Sequence, residues 1–258
     1  MKIVFIGDIF GKPARETLKN FIPYVKEYFS PDFIVANGEN AAHGAGITAK
    51  VAEELFSLGI DVITGGNHSF DKRAIWDKWD EFPLLLRPAN FPEGAPGKGF
   101  AIVKKDGNVL CVINLQGRVG LPPTLSPFKT LDKILKEVLP ETHNIVVDFH
   151  AEATSEKIAF GFYADGKVSA VIGTHTHVQT ADERILKNGT AYITDCGMCG
   201  VKNSVIGLDR DVALKRFITL LPYGFKVAEG NVQVDFVTVD IGKNGKANSI
   251  QRFSWQEK

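Results

Sequence analysis

The sequence predicts an α/β protein, a sandwich with a mixed central pair of sheets flanked by helices. Eight short apolar runs, most of them β-branched, alternate with amphipathic segments along the chain. Unbroken runs of this kind are typical of strands that are buried on both faces. The 258 residues are 44% hydrophobic and 23% charged, an ordinary globular composition. The chain has neither a low-complexity tract nor an internal repeat, and we predict one domain over residues 1–258.

The predicted elements alternate in chain order. The strands span residues 3–6, 33–36, 62–64, 109–113, 145–147, 168–172, 191–193 and 232–239. The helices span residues 13–29, 48–58, 72–79 and 131–139. Pro13 suits a first helical turn, Thr48 an N-cap, and Gly59 a helix end. Pro and Gly in residues 86–99 predict an ordered loop, and the alternating pattern of residues 232–239 predicts a partly antiparallel second half.

Charge and cysteine content narrow the possible partners and compartments. Thirty Lys and Arg balance thirty Asp and Glu, which argues against a polybasic nucleic-acid binder and against a charged membrane-surface protein. Three cysteines are too few for a secreted disulfide framework. Residues 1–8 lack the pattern of a signal peptide, and no apolar run approaches the ~18 residues of a membrane span. We therefore expect a cytoplasmic protein without a membrane partner.

Polar side chains follow five of the apolar runs, usually behind a glycine. In open α/β sheets the functional site lies beyond the carboxyl ends of the strands. We therefore expect one cluster at that edge, and four of the six histidines belong to these loops. Its members are Asp8, Glu39, Asn40, Asn67, His150, His175 and His177.

Oxygen and imidazole groups without a thiolate suit manganese, iron or zinc better than a closed structural zinc site. One ion needs only three or four of these groups, so the number of candidates predicts two ions that share a bridging carboxylate. Such a pair, ~3.5–4 Å apart, binds a phosphoryl group and acidifies a bridging water. Each motif alone also fits a plain turn, a helix cap or a structural histidine. Their common place at strand ends favours the metal site.

The ordered motifs resemble those of the calcineurin-like metallophosphoesterases, and most closely the YmdB-like bacterial branch of phosphodiesterases. The motifs that carry the resemblance are Gly7-Asp8-Ile9-Phe10-Gly11, Gly38-Glu39-Asn40-Ala41-Ala42, Gly66-Asn67-His68, Arg87-Pro88-Ala89-Asn90, residues 148–156, and Gly173-Thr174-His175-Thr176-His177 followed by residues 178–180. Two positions depart from the broad superfamily, which has a metal-binding histidine at Phe10 and an aspartate at Glu39. The YmdB-like branch shares both changes.

The resemblance implies a metallophosphoesterase-like sandwich with a dinuclear metal site at the strand C-termini. It assigns Asp8, Glu39, Asn40 and His177 to the first ion. The second ion receives Glu39, Asn67, His150 and His175. Iron or manganese is implied, and the donor set also allows zinc.

His68 has a different expected role. Adjacent side chains in a tight turn diverge, so His68 does not bind metal if Asn67 does. In the resembling enzymes this histidine donates a proton to the leaving oxygen, a task that suits an imidazole near neutral pH. We assign Asp71 to the N-cap of the helix predicted from Lys72. Orientation of the His68 imidazole is the alternative role for Asp71.

The function implied is metal-dependent phosphodiester hydrolysis, with a metal-bridging hydroxide as the nucleophile. The expected substrates are small cyclic nucleotides, particularly 2′,3′-cyclic monophosphates, and the zero net charge fits a small substrate better than long nucleic acid. A homo-oligomer is possible on this sequence. Two alternatives stay open: a slow-turnover regulatory protein that binds a nucleotide or RNA, and a dinuclear metallohydrolase of a non-phosphate substrate.

Other motifs carry weaker predictions. We expect Cys196 and Cys199 to be small buried residues in a glycine-rich turn, although their spacing is also found in redox and zinc sites. Arg87 and Arg118 fit either a phosphate clamp or surface ion pairs. We expect core packing of the aromatic residues that follow His68, with base stacking as the alternative. They are Trp76, Trp79 and Phe82.

Overall fold

Two β-sheets pack face to face, and helices cover the outer face of each sheet. The computed structural model describes residues 1–257. The strands are β1 Lys2–Ile6, β2 Asp8–Ile9, β3 Phe33–Asn37, β4 Val62–Thr64, β5 Phe100–Lys105, β6 Asn108–Gln116, β7 Ile145–His150, β8 Ala170–Thr174, β9 Arg184–Ile185, β10 Ala191–Ile193, β11 Met198–Val201, β12 Val232–Ile241 and β13 Ala247–Gln256. The helices are α1 Gly11–Phe29, α2 Ala49–Leu58, α3 Pro127–Val138, α4 Thr154–Ala164 and α5 Arg210–Thr219, with a 3₁₀ helix at Arg73–Glu81.

The first sheet is mixed and has seven strands. β1, β3 and β4 run parallel, and the long strand β12 pairs antiparallel with β1, β11 and β13. The second sheet has the order β5-β6-β7-β8-β10-β9, and its four inner strands are parallel. The parallel strands of each sheet therefore end at a common edge, as the connections of α/β proteins require.

The apolar runs are unbroken because the strands that carry them, such as β1, β3, β7 and β8, are buried on both faces. In β1, Ile3 and Phe5 face the second sheet, while Val4 and Ile6 pack beneath α1 and α2. The outer face of the second sheet is covered by α3 and α4. These three apolar layers confirm the predicted sandwich of two mixed sheets flanked by helices.

Local chemistry explains the boundaries of α2. The hydroxyl of Thr48 accepts a hydrogen bond from the backbone of Val51, and Gly59 ends the helix with φ of 101°. The aromatic segment after His68 forms a 3₁₀ helix instead of the α-helix predicted at residues 72–79. Its N-cap is Lys72, which offers no capping side-chain hydrogen bond. The assignment of Asp71 to that N-cap is therefore wrong.

Several short or exposed elements have no counterpart in the sequence prediction. β5 and β13 have half-exposed faces, so their apolar pattern is weak. α4 and α5 carry little amphipathic pattern, and only Ala213 of α5 is buried. Within residues 1–257, no helix is long and apolar enough to cross a membrane.

Candidate metal centre

The polar side chains predicted at the strand ends lie together, where β1, β3 and β4 of one sheet meet β7 and β8 of the other. Hydrogen bonds join the two sheets directly behind them. The amide of Asn37 donates to the carboxylate of Asp148 at 2.9 Å, and the backbone N–H of Gly65 donates to the side-chain oxygen of Asn114 at 3.2 Å. The common edge thus brings together residues that are far apart in sequence, such as Asp8 and His175, whose backbone N–H donates to Oδ2 of Asp8 at 3.1 Å.

Four donor atoms converge in the group that was assigned to the second ion. Nε2 of His150 lies 3.1 Å from Oε1 of Glu39, from Oδ1 of Asn67 and from Nδ1 of His175. Ligand atoms of Glu39, His150 and His175 all lie within 4.8 Å of one another. Gly66 makes this approach possible, because a Cβ there would lie 2.2 Å from Oε2 of Glu39.

The group assigned to the first ion lies beside the second. Nε2 of His177 is 3.8 Å from Oδ1 of Asp8, and Oδ1 of Asp8 is a fully buried oxygen without a hydrogen-bond partner within the described chain. Nδ2 of Asn40 lies 3.2 Å from Nε2 of His177 and 3.0 Å from Oε1 of Glu39. Asn40 would therefore have to turn its amide over to present Oδ1 to an ion.

Each of the three histidines has one ring nitrogen bonded to a group outside the cluster. Nδ1 of His177 donates to the carbonyl of Ile206 at 2.9 Å, and Nε2 of His175 lies 3.1 Å from the carboxylate of Glu152. The other nitrogen of each ring then faces the cluster. Metal-binding histidines are held in this way, because the outer hydrogen bond fixes both the tautomer and the ring orientation.

The outer partner of His150 is a chain of hydrogen bonds. The hydroxyl of Thr174 donates its only proton to Asp148 at 2.6 Å, so it must accept from Nδ1 of His150, which is 2.9 Å away. Asp148 also accepts from Asn37 and from the hydroxyl of Thr64. Burial raises the pKa of Asp148 to about 6. This series of hydrogen bonds holds Nδ1 of His150 and leaves its Nε2 directed at the cluster.

The electrostatics of the cluster favour a bound cation. Burial raises the pKa of Asp8, although His177 and His150 oppose the shift. Burial alone would also raise the pKa of Glu39, but the neighbouring His150 outweighs it and holds that pKa at about 2. Burial and His150 together lower the pKa of His175 to about 3, so its ring is neutral. Burial lowers the pKa of His150, but the carboxylates of Glu39, Asp8 and Asp148 outweigh burial and raise that pKa to about 9, so the charged His150 ring compensates the buried acids. A metal cation bound there would take over this compensation, and the orphaned Oδ1 of Asp8 offers it a ligand atom.

His68 and Asp71 form a separate pair at the mouth of the cluster. Nδ1 of His68 donates to the carboxylate of Asp71 at 2.7 Å, and about two-fifths of each side chain is exposed. Nε2 of His68 is left without this partner, and His68 lines the same pocket as Glu39 and His177. Orientation of His68 by Asp71, the alternative in the sequence analysis, is the arrangement found.

The loop Thr174–His177 is held by residues that the sequence analysis did not identify. His175 and His177 have φ values of 101° and 64°, in the left-handed region that non-glycine residues seldom adopt. Asp195 accepts hydrogen bonds from the backbone and the hydroxyl of Thr176, and Lys157 donates to the carbonyl of Thr174 at 2.7 Å. Asp195 follows the apolar run of β10, so the strand-end pattern could have found it. The pattern gave no signal for Lys157, which lies in α4.

The remaining motifs lie outside the cluster. Cys196 and Cys199 are buried, as predicted, and burial raises the pKa of each thiol far above its ordinary value. Arg87 donates hydrogen bonds to three backbone carbonyls of its own loop. Its guanidinium therefore has a structural role that does not require a phosphate. Trp79 is buried in the core, whereas Trp76 is 45% exposed.

The fold and the arrangement of acids, amides and histidines at its strand ends define a metallophosphoesterase-like protein. The family model described as YmdB-like protein matches residues 4–253, and the chain belongs to that family. A 2′,3′-cyclic-nucleotide 2′-phosphodiesterase of Bacillus subtilis (strain 168) is 53% identical over 98% of this chain and 96% of its own length.

Two solved structures share the whole fold. A hypothetical protein from Thermus thermophilus has a TM-score of 0.93 and 37% identity, with all of both chains covered. A structure described as a novel phosphatase from Mycoplasma pneumoniae has a TM-score of 0.92 and 34% identity. It covers 99% of this chain and 93% of its own.

Proposed function

We propose that this protein is a metal-dependent phosphodiesterase that hydrolyses small cyclic nucleotides, in particular 2′,3′-cyclic nucleoside monophosphates. The observation that carries the proposal is the buried cluster of acids and histidines, with its orphaned Asp8 oxygen, at the floor of an open pocket. The name of the Bacillus subtilis relative supports the choice of substrate. Phosphoric diester hydrolysis is the reaction class that joins these two lines of support.

In this proposal two metal ions bind to the cluster. Iron and manganese are the expected metals, and zinc is the less favoured alternative. Asp8, Glu39, Asn40 and His177 hold the first ion. Glu39, Asn67, His150 and His175 hold the second. Bound there, the ions would neutralise charge on the phosphoryl oxygens and lower the pKa of a water molecule.

His68 acts as the proton donor. The overall reaction adds the oxygen of water to phosphorus and breaks the bond from phosphorus to the ribose O2′, which must gain a proton as it leaves. Asp71 holds the Nδ1–H of His68 and leaves Nε2 to serve that oxygen. The product is the nucleoside 3′-monophosphate.

The volume of the pocket and the net charge of the chain agree with a small substrate. The pocket over the cluster has a volume of about 370 Å³, within the range of small-molecule sites. The whole chain carries no net charge, so long nucleic acid would find no general electrostatic attraction. A single phosphodiester with one nucleoside satisfies both conditions.

The test compares 2′,3′-cyclic AMP with matched esters on the metal-loaded protein. Product analysis by chromatography should find 3′-AMP, formed faster than phosphate is released from 3′-AMP or an amine from a p-nitroanilide. The Asp8→Asn variant, which keeps the volume and removes the charge, should lose this activity. Monoester hydrolysis tenfold faster than diester hydrolysis would contradict the diester assignment. Tight nucleotide binding without turnover would favour the regulatory alternative instead.

A further inference from the structure

The lining of the pocket over the metal centre is partly polar and partly apolar. Glu39, Asn40, His68, His175 and His177 belong to its polar lining, which we call the polar floor. Its apolar lining consists of Phe10, which is buried and packs edge-on against His177, and of three residues that we call the apolar wall: Ile206, Leu208 and Phe225. An apolar surface does not bind an anion, so the apolar wall suits an apolar part of a ligand.

Phe225 is the most exposed member of this wall, at 71%. The guanidinium carbon of Arg216 lies 4.1 Å from the centroid of its ring. A cation over one face of an aromatic ring holds that ring by cation–π attraction. The contact with Arg216 restrains the ring, and Phe225 is part of the pocket lining, so an exposed aromatic ring is available there for stacking.

The backbone ties the wall to the metal centre. Ala228 donates to the carbonyl of Gly207 at 2.9 Å, and Asp209 donates to the carbonyl of Lys226 at 2.8 Å, so the segment with Phe225 runs alongside Leu208. The carbonyl of Ile206 in turn accepts the hydrogen bond from Nδ1 of His177. The position of the apolar wall is thereby set relative to the polar floor of the pocket.

We propose that this wall, defined by Ile206, Leu208 and Phe225, binds the nucleobase of the substrate, which stacks on the ring of Phe225. The inference rests on the proposed function and deepens it, because it separates a phosphate-binding floor from a base-binding wall in one pocket. Stacking tolerates every base, since each has a π face. The wall therefore selects nucleotides over base-free phosphodiesters and discriminates weakly among the four bases.

The test uses two diesters that differ only in the base: 2′,3′-cyclic AMP and methyl riboside 2′,3′-cyclic phosphate. With the metal-loaded Phe225→Ala variant, kcat/KM for the nucleotide should fall about tenfold through KM, the size of effect that stacking on one ring provides. The base-free diester should be cleaved as by the wild type. Phe225→Tyr keeps a ring and should restore the nucleotide KM. Phe217→Ala is the matched control, because Phe217 is 75% exposed and lies outside the pocket.

Calorimetric binding of 3′-AMP and of methyl riboside 3′-phosphate gives a readout that needs no turnover. Phe225→Ala should weaken 3′-AMP binding about tenfold and leave the base-free phosphate unchanged. Equal losses for both ligands, or no loss for either, would overturn the base-binding wall. Failure of the wild type to cleave any 2′,3′-cyclic diester would overturn the proposed function, and the binding measurements would still decide on the wall.

Discussion

Lys157 and Asp195 form an ion pair of 2.6 Å in which both side chains are almost completely buried. The pair lies directly behind the loop that carries His175 and His177. Nζ of Lys157 also donates to the carbonyl of Thr174, and Asp195 also accepts from Thr176 and from the backbone of Gly197. Two residues that cannot touch a substrate thus hold two of the candidate metal ligands in an uncommon backbone conformation.

The first prediction follows from this pair. Lys157→Met keeps most of the side-chain volume but leaves Asp195 buried without its cation. The free energy of unfolding should fall by about 3–5 kcal/mol, because a broken buried pair leaves an uncompensated charge. The folded fraction of Lys157→Met should also retain less metal than the wild type, since the loop with His175 and His177 is no longer held in place. Urea denaturation and elemental analysis of the same preparation measure the two effects.

An exposed pair supplies the control for this prediction. Lys167 and Asp132 lie 3.1 Å apart, with 39% and 45% of their side chains exposed. Lys167→Met should change the free energy of unfolding by less than about 1 kcal/mol and leave the metal content intact. If Lys157→Met unfolds like the wild type and binds as much metal, the pair does not position the loop.

Hydrophobic pattern predicted the framework of the fold because the strands that carry it are buried on both faces. All eight predicted strands are found, and the α2 boundaries follow from Thr48 and Gly59. The pattern placed Asp148 and His150 after a strand, although both belong to β7, because polar residues within a strand end the apolar run early. Elements with one solvated face, such as β13, gave no clear run and could not be predicted in this way.

The candidate site was predictable only in part, for a related reason. Its members at strand ends share one topological position, which the sequence displays. The partners that orient them do not share it: Glu152 and Lys157 belong to the connection after β7 and to α4, and their contacts depend on how α4 packs against the second sheet. The apolar wall could not be predicted from the sequence either, because apolar residues in a loop have no helical or strand spacing.

The second prediction concerns metal content. Protein purified without chelator should contain close to two equivalents of iron, manganese or zinc in total, because two groups of donors converge and share Glu39. Glu39→Ala should lose both ions, whereas His177→Ala should mainly weaken the first. Glu141→Ala, at an exposed acid, is the control. Full activity in protein with reproducibly no metal would refute the assignment.

The third prediction concerns the pair of Asp71 and His68. Asp71→Asn replaces the carboxylate that accepts the Nδ1–H of His68 with a neutral amide, which can accept or donate a hydrogen bond, so the tautomer and orientation of the imidazole are no longer fixed. We expect kcat to fall by about tenfold while the metal content stays unchanged. His68→Ala combined with Asp71→Asn should be no worse than His68→Ala alone. A further loss in the double variant would show that Asp71 acts independently of His68.

The fourth prediction separates His68 from its neighbour Asn67. Asn67 directs Oδ1 at Nε2 of His150, whereas His68 turns to Asp71 and the pocket. His68→Ala should keep its metal and lower kcat by ~10²–10⁴-fold, the usual contribution of a general acid. Asn67→Ala should instead lose metal from the second position, and excess manganese should restore part of its activity.

The leaving group provides the decisive control for that contrast. p-Nitrophenolate departs without a proton, so the defect of His68→Ala should shrink on a p-nitrophenyl diester and stay large on 2′,3′-cyclic AMP. The defect of Asn67→Ala should be the same on both, because it concerns the ion and not the proton. Metal loss in His68→Ala would make His68 a ligand. An equal defect of His68→Ala on both diesters would mean that it stabilises charge on phosphorus instead of protonating the departing oxygen.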